Sequence, residues 1–430
     1  MSSKLDSTRN FIELYRHISM SGEIEVPEEF LFWSCISLIS ASVQNNVWVR
    51  KMGNQLFPNL YVFLIGPSGL GKGEAINSVG KIGRRVKPLH WIHTMRSSKS
   101  LLDLMTRPDK STSRDAPKTY SWSKLFVIMP ELSMAIGTGP RADDFVKLMT
   151  GLYSGSPEEI IDEGTRMSGE HSMPMPCVNW LCGSTKEWML DSISRASLYG
   201  GFLARCVCVM GDYNLNKRNF EPTRPPDHDE VLNHLRQRLL ELTQLRDVEM
   251  KLSNQARDAM EHWYYSREAP DPDDPLTPSW KREHDFILKL GTDLALADQR
   301  KVITSDDFAH AARLSRGLMN RLSELVVFAG ATPETEAVHR ARAILRRVKK
   351  MRTDHLIKHL DITAERMDEV RATLEKAGQV EVRVGSDGGT VINPVFIWKE
   401  DARAITLSKD ELSIESPEVD EEDPYGWHKK

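Results

Sequence analysis

The sequence predicts an α/β fold, a core of alternating strands and helices with a helical segment before it and a helical region after it. A small domain of three helices and a β-wing follows, then an acidic tail. Three observations predict this. Short, strongly apolar runs near residues 60–65, 124–129, 177–183 and 206–210 lie between segments of helical periodicity. The first run ends in GPSGLGKG, residues 66–73, and opens directly onto a helical pattern. Near the C-terminus, two alternating runs joined by GSDGG follow a basic helical stretch.

At 430 residues the chain is long enough for two or three domains. Hydrophobic residues make up 40 % and charged residues 27 %, with a net charge of −4, so nucleic-acid contact has to come from local patches. The segment MSSKLDSTRNFIELYR lacks the apolar stretch of a signal peptide, and Phe30 to Val43 is too short to span a bilayer. The expectation is a cytoplasmic protein without a membrane segment. Five cysteines without a CxxC pair read as reduced, buried thiols.

Taken in order, residues 1–50 form a helical segment. Pro27 and two glutamates suit a helix start, and Phe30 to Val43 suits a core helix. Such a segment serves as a collar or a subunit contact, and the residues leave that choice open. Residues 45–59 read as a strand pair leading into the strand Leu60 to Ile65. The loop after that strand is GxxxxGK between a strand and a helix, the context that phosphate binding requires. Its glycines let backbone amides turn toward phosphate oxygens, and the helix N-terminus adds partial positive charge. Gly66, Pro67, Ser68, Gly69, Leu70, Gly71, Lys72, Gly73 and Glu74 are the candidate nucleotide contacts, with Lys72 reaching the β- and γ-phosphates. ATP and Mg²⁺ are the expected cofactors. Gly73 stands where a serine or threonine usually offers its hydroxyl to Mg²⁺. Glu74 or Ser68 are substitutes, and the metal ligands stay unassigned. A glycine-rich turn in an α/β protein is the plainer alternative.

A helix over 74–87, a strand at His90 to Met95 and a helix from Ser97 to Arg107 follow. Residues 108–120 read as an exposed loop that is either a connector or a phosphate-contacting segment. The strand in KLFVIMPELS ends in Pro130-Glu131, which places Glu131 where a carboxylate would polarise an attacking water. Residues 141–153 read as a helix and 154–176 as a hairpin or loop excursion. The strand CVNWLCGS ends at Ser184-Thr185, polar residues suited to sensing a γ-phosphate. GGFLARCVCVM puts Arg205 at the start of the next strand, from which an arginine can enter a neighbouring subunit's site.

In this order, FPNLYVFLIGPSGLGKG, VIMPELS, LYSGSPEE, NWLCGSTKEWML and GGFLAR resemble a family of phage and prophage P-loop ATPases with a DUF3987-type domain, often labelled helicase or primase-helicase. The resemblance spans about residues 30–320. It implies a P-loop, AAA+-like ATPase core at 51–212, a homo-oligomeric ring, a hexamer by expectation, and work on single-stranded or duplex DNA. Within that reading Lys72, Glu131, Ser184, Thr185 and Arg205 are the catalytic residues.

The lid is expected at 213–330, helical over 229–266 and again after 276, with Arg282 or Lys289 as a γ-phosphate sensor. Thr304 or Ser305, with Asp306 and Asp307, reads as a helix start. Residues 335–398 read as a winged helix. Within 336–384, twelve Lys and Arg face eight Asp and Glu, an excess that suits a DNA backbone. Protein docking is the alternative, and the acidic residues of the third helix argue against sequence-specific reading. The tail, 399–430, is strongly acidic, reads as disordered and suits contact with other replication proteins. Three functions remain open at this level: a DNA motor, a nucleotide-gated loader or initiator, and a scaffold with a relic site.

Overall fold

In the computed structural model, the chain is described at residues 10–20, 26–86, 89–93, 97–107, 121–132, 140–154, 160–162, 172–192, 201–211, 224–270, 276–330 and 337–399, the last with breaks at 339–340, 342–343, 346–348, 361, 377, 384–385, 388–389 and 392–393. The loop 108–120, most of the linker after Gly211 and the acidic tail lie outside the described residues. The chain divides into two compact units, one running through Leu322 and one starting at Ser323.

Asn10 starts helix α1 (Phe11–Ser19) with a reciprocal cap. Its side chain accepts from the Glu13 amide at 2.9 Å, and the Glu13 carboxylate accepts from the Asn10 amide at 3.1 Å. Helix α2 (Glu28–Val43) begins after Pro27 with two glutamates in its first turn, and Phe30 to Val43 are buried throughout. A helix apolar on all sides has to be covered on all sides. Strands β1 (Val47–Lys51) and β2 (Asn54–Leu56) form the expected antiparallel pair.

The core then alternates strands and helices: β3 (Tyr61–Ile65), α3 (Lys72–Gly83), β4 (Trp91–Ile92), α4 (Ser98–Met105), β5 (Lys124–Met129) and α5 (Pro140–Leu152). The excursion at 154–176 contains an antiparallel pair, β6 (Ile160–Asp162) with β7 (Ser172–Pro174). After it come β8 (Cys177–Ser184), α6 (Lys186–Ser192) and β9 (Cys206–Met210). Five strands make one wholly parallel sheet in the order β4-β5-β8-β3-β9. Both faces of a parallel sheet are covered, which is why β3 reads as an unbroken apolar run and β3 and β8 are buried at every residue. Helix α2 lies against β3 and β8 and also meets α1 and α3.

The next elements are α7 (His228–Thr243), β10 (Val248–Leu252), α8 (Asn254–Tyr265), α9 (Thr277–Ala297), β11 (Val302–Ile303) and α10 (Ser305–Gly330). The helical expectation for 229–266 is corrected at 248–252. There Val248, Met250 and Leu252 alternate with Glu249 and Lys251, and the segment pairs in parallel with β1, Val47 opposite Val248. Pairing with a distant strand overrides local helical periodicity. The result is a second sheet, β11-β10-β1-β2, within the same unit. The N-terminal segment is therefore part of this unit's core, and α2 also packs on α7 and α9. At α10 the expected cap is present: Thr304 Oγ1 accepts from the Asp307 amide at 3.3 Å, and Asp307 accepts from the Thr304 amide at 2.8 Å.

The second unit contains β12 (Lys350–Arg352), α11 (Thr353–Leu360), α12 (Ala364–Lys376), β13 (Val380–Arg383), the short pair β14 (Ser386–Asp387) and β15 (Thr390–Val391), and β16 (Val395–Trp398). Its main sheet is antiparallel, in the order β12-β16-β13, and Leu356, Met367, Leu374 and Phe396 form part of its core. Just before α11 the chain is extended at β12, Lys350–Arg352. Thr390–Val391 and Val395–Trp398 are separate strands, and ahead of the second the Pro394 carbonyl accepts from the Thr353 amide at 2.8 Å.

A buried cation ties the first unit together. Lys289 on α9 donates to both the carbonyl and the Oδ1 of Asn59 at 2.9 Å, and its Nζ sits 3.9 Å from the centre of the Tyr153 ring. Asn59 Nδ2 in turn donates to the Tyr153 carbonyl at 2.8 Å. Burial pushes Lys289 down to about 7, against the pull of Asp285, Cys177 and Asp293. One turn along, Asp293 is fully buried, with both carboxylate oxygens lacking a hydrogen-bond partner, and burial raises its carboxyl well above the usual range. Since Lys289 releases its proton more readily folded than unfolded, its charge opposes folding fully below about pH 7, and the opposition fades as pH rises toward the unfolded lysine value. Comparing wild type with Lys289→Met by urea unfolding at pH 6.5 and pH 9 should show the difference shifting in favour of wild type at the higher pH, by at most about 1.4 kcal/mol per pH unit. An unchanged difference would mean that the ammonium is not desolvated.

Candidate nucleotide site

Strand β3 lies between β8 and β9 in its sheet, and its C-terminal end, in register with Ser184 of β8 and Met210 of β9, is where the glycine loop leaves. Three backbone links hold that end. The Gly66 amide donates to the Ser184 carbonyl at 3.2 Å, the Gly211 amide donates to the Ile65 carbonyl at 2.9 Å, and the Leu132 amide donates to the Gly183 carbonyl at 2.8 Å. Space here is closed to side chains. A Cβ at Gly66 would collide with Leu70 Cδ2 and come within 3.0 Å of the Gly211 carbonyl. A Cβ at Gly71 (φ +81°) would lie 2.8 Å from Val26 Cγ2. The loop can therefore only be built this tightly from glycine.

Gly71 is the N-cap of α3 and supplies no side-chain cap, so the first amides of this 12-residue helix face the loop without a protein side chain bonding them from the cap. Lys72, the first helical residue, is buried and donates from Nζ to the carbonyls of Gly66 at 2.6 Å and Pro67 at 2.7 Å. Burial lowers its pKa, while the carboxylates of Glu131 and then Glu187 act in the opposite direction. Both carboxylates are thus close enough to feel its charge. Glu131 follows β5 and is exposed, and Glu187 is exposed in the first turn of α6. Ser184 ends β8 with its hydroxyl donating to the Thr185 carbonyl at 2.9 Å, and Thr185 Oγ1 accepts from the Trp188 amide at 3.2 Å.

The closed glycine cradle, the inward lysine and the uncapped helix start fit the triphosphate of a nucleotide. The fit for a metal is looser. Gly73 carries no hydroxyl, Glu74 and Ser68 are exposed, and no group of three or more His, Cys, Asp or Glu among the described residues is placed to hold a metal ion. A side chain at Gly73 would meet nothing within 4 Å.

Lys72, Glu131, Ser184 and Thr185 are brought together at one end of the sheet. Arg205 is not among them. It precedes β9, whose Cys206 is in register with Tyr61, at the opposite end of β3. Five strand residues separate the two ends, about 16 Å. Arg205 donates to the Gly201 carbonyl at 2.7 Å, lies 5.9 Å from the Tyr153 ring centre and lines a cleft with Arg282, Glu283 and Asp285. Burial, and then Arg282, lower its pKa.

The expectation for Lys289 and Arg282 as γ-phosphate sensors is corrected by position. Lys289 is bonded to Asn59, before β3, and Arg282 stands beside Arg205, so both belong to the end away from the loop. The arginine that helix α10 brings to the loop end is Arg321, whose Nη1 donates to the Met210 carbonyl at 2.9 Å. Sequence reading missed Arg321 and Glu187. Each lies on a charged amphipathic helix whose phase against the sheet has no local signal.

No protein-family model matches the sequence, and no curated protein matches it.

Two glycines give opposite expectations. A Cβ at Gly183 would run into the Pro130 carbonyl, so Gly183→Ala must separate the ends of β5 and β8. It should cost about 1–3 kcal/mol in thermal or urea unfolding. Gly73→Ala, with open space in the first turn of a helix, should be neutral or stabilise by up to about 1 kcal/mol. Equal effects at the two positions would contradict this packing.

Proposed function

We propose that this chain is an ATP-driven motor on DNA, a ring-forming replicative helicase of the phage or mobile-element type, with a P-loop AAA+-like core and a C-terminal winged helix. One observation supports it most. A glycine-lysine loop leaves an interior strand of a parallel sheet beside Glu131 and Ser184, while Arg205 stands at the other end of the same sheet. An arginine so placed cannot serve its own loop, and head-to-tail packing of copies would bring it to the next one. The insertion of β8 between β5 and β3 suits the additional-strand class of P-loop ATPases.

In this reading the loop amides and Lys72 hold the phosphates. Glu131 takes the proton from, or orients, the attacking water, and Ser184 with Thr185 reports the γ-phosphate. Arg321 approaches the nucleotide from its own chain, and Arg205 stabilises charge in a neighbour's site, a contribution worth ~10³–10⁵ in turnover. Mg²⁺, bound with the nucleotide, would neutralise phosphate charge, with Glu131, Glu187, Ser68 and Glu74 as the groups available to it directly or through water.

In the second unit Arg352 pairs with Asp354 at 2.9 Å, Arg371 with Glu375 at 3.3 Å and Arg383 with Glu381 at 2.8 Å, so the net basic excess over 336–384 is carried by the other lysines and arginines. A second reading, a nucleotide-gated loader that binds without unwinding, is favoured by the missing hydroxyl at Gly73.

Steady-state ATPase with and without single-stranded DNA tests the proposal. Glu131→Gln should lower turnover by more than about 100-fold, and Arg205→Ala by ~10³-fold or more. Subunits of the two variants assembled together should recover turnover that neither has alone, because one interface then holds both native groups. Wild-type turnover in both variants would refute these roles. Nucleotide binding without any turnover would select the loader.

A further inference from the structure

A separate cavity, of about 180 Å³, lies at the end of the main sheet away from the glycine loop. It is formed where α2 ends, where β4 and β5 begin, and just after α7, by residues including Gln44, Asn46, His90, Lys124 and Arg246. Its volume far exceeds the roughly 10–15 Å³ that a single water needs.

The charge on its wall is one-sided. Lys124 and Arg246 both face the cavity, and no residue lining it among those described is acidic. The nearest carboxylate in sequence, Asp247, accepts from Trp48 Nε1 at 2.9 Å and is committed there. Lys124 donates to the neutral Asn46 Oδ1 at 3.1 Å, leaving further ammonium hydrogens for another acceptor. Arg246 uses Nη1 on the carbonyls of Thr243 and Leu245, both at 2.6 Å, which fixes the guanidinium and leaves Nε and Nη2 as donors. Burial and the nearby Arg246 make Lys124 less willing to hold its proton, with Cys177 opposing. Two cations facing one cavity repel each other unless an anion sits between them.

The backbone adds a separate observation. Gln44, at the cavity wall, is buried with φ 52° and ψ −134°, a conformation unfavourable for a residue with a side chain. Such strain is held where the surroundings require a particular placement, and here it sets the path of the chain from α2 to Asn46.

We propose that this cavity is a binding site for a phosphate-class oxyanion, either free phosphate or a terminal phosphomonoester, held between Lys124 and Arg246. It is separate from the nucleotide site and does not depend on the motor reading. The position of the cavity excludes Lys72 from it.

The test follows thermal unfolding of the full chain as inorganic phosphate is raised, with ionic strength held constant by chloride. Wild type and Lys72→Ala should both be stabilised by phosphate. Lys124→Met and Arg246→Gln should each need at least about tenfold more phosphate for the same shift, since each loses a charge-assisted hydrogen bond. Should Lys124→Met fail to fold, Lys124→Arg, which keeps the cation, should retain the response while Arg246→Gln weakens it. A fluorescence-anisotropy arm compares 5′-phosphorylated with 5′-hydroxyl single-stranded oligonucleotides. Preference for the phosphorylated strand, lost in Arg246→Gln, would assign the phosphate to a nucleic-acid end. No preference, with the phosphate response intact, would assign it to the free ion. A response absent in wild type, equal in all variants, or lost in Lys72→Ala would overturn the proposal.

Discussion

Helix α2 is the constraint on which the first unit depends. From Phe30 to Val43 it is buried on every side, so a sheet on one flank and helices on the others have to enclose it. One of its serines fixes two strands: Ser40 Oγ lies 2.7 Å from the Pro58 carbonyl and 2.6 Å from Asn179 Oδ1, which also accepts from the Leu60 amide. The start of β3 and the middle of β8 are thereby referenced to one helix. At its other end Phe30 packs so closely on Gly211 that a Cβ there would lie 2.6 Å from Cζ, and Val26, just ahead of the helix, closes on Gly71. The glycine loop is shaped from outside as much as by its own sequence. The N-terminal segment is therefore core in this unit.

The parallel sheet then separates chemistry by strand polarity. Groups at strand C-termini, namely the loop, Glu131, Ser184 and, through Met210, Arg321, share one end. Groups at strand N-termini, namely Arg205 and Lys124, share the other. Because all five strands run the same way, no side-chain movement can bring the two sets together. Cooperation between the ends requires a second copy of the chain or a separate ligand, and the proposals for Arg205 and for the Lys124–Arg246 cavity are the two forms this takes.

At the end away from the loop, below the start of β3, sits a buried polar network that the core tolerates because most of it is bonded. Lys289 finds two acceptors on Asn59 and a ring face on Tyr153. Asp293 finds none, and a carboxyl in that position is stable chiefly in its neutral form. The network joins α9 to the root of β3, so the helical region after the sheet is anchored to the strand that ends in the loop.

Much of this was legible locally. Apolar runs marked β3, β5, β8 and β9, because strands covered on both faces need no alternation. The strand–glycine–lysine–helix order marked the loop, and Pro27, Ser97 and Thr304 marked helix starts, since turns and caps are set by residues a few positions apart. What no local pattern contained was anything decided by pairing or helix phase. Strand β10 exists because Val248 meets Val47 across two hundred residues. Arg321 reaches Met210, and Lys289 turns inward to Asn59, because of how long amphipathic helices are rotated against the sheet. The sequence by itself determined which segments are strands of a covered sheet and where its glycine loop lies. Only the tertiary structure decided which charged side chains stand at which end of that sheet, because burial and rotation of a helix are settled by the whole core and not by its own residues.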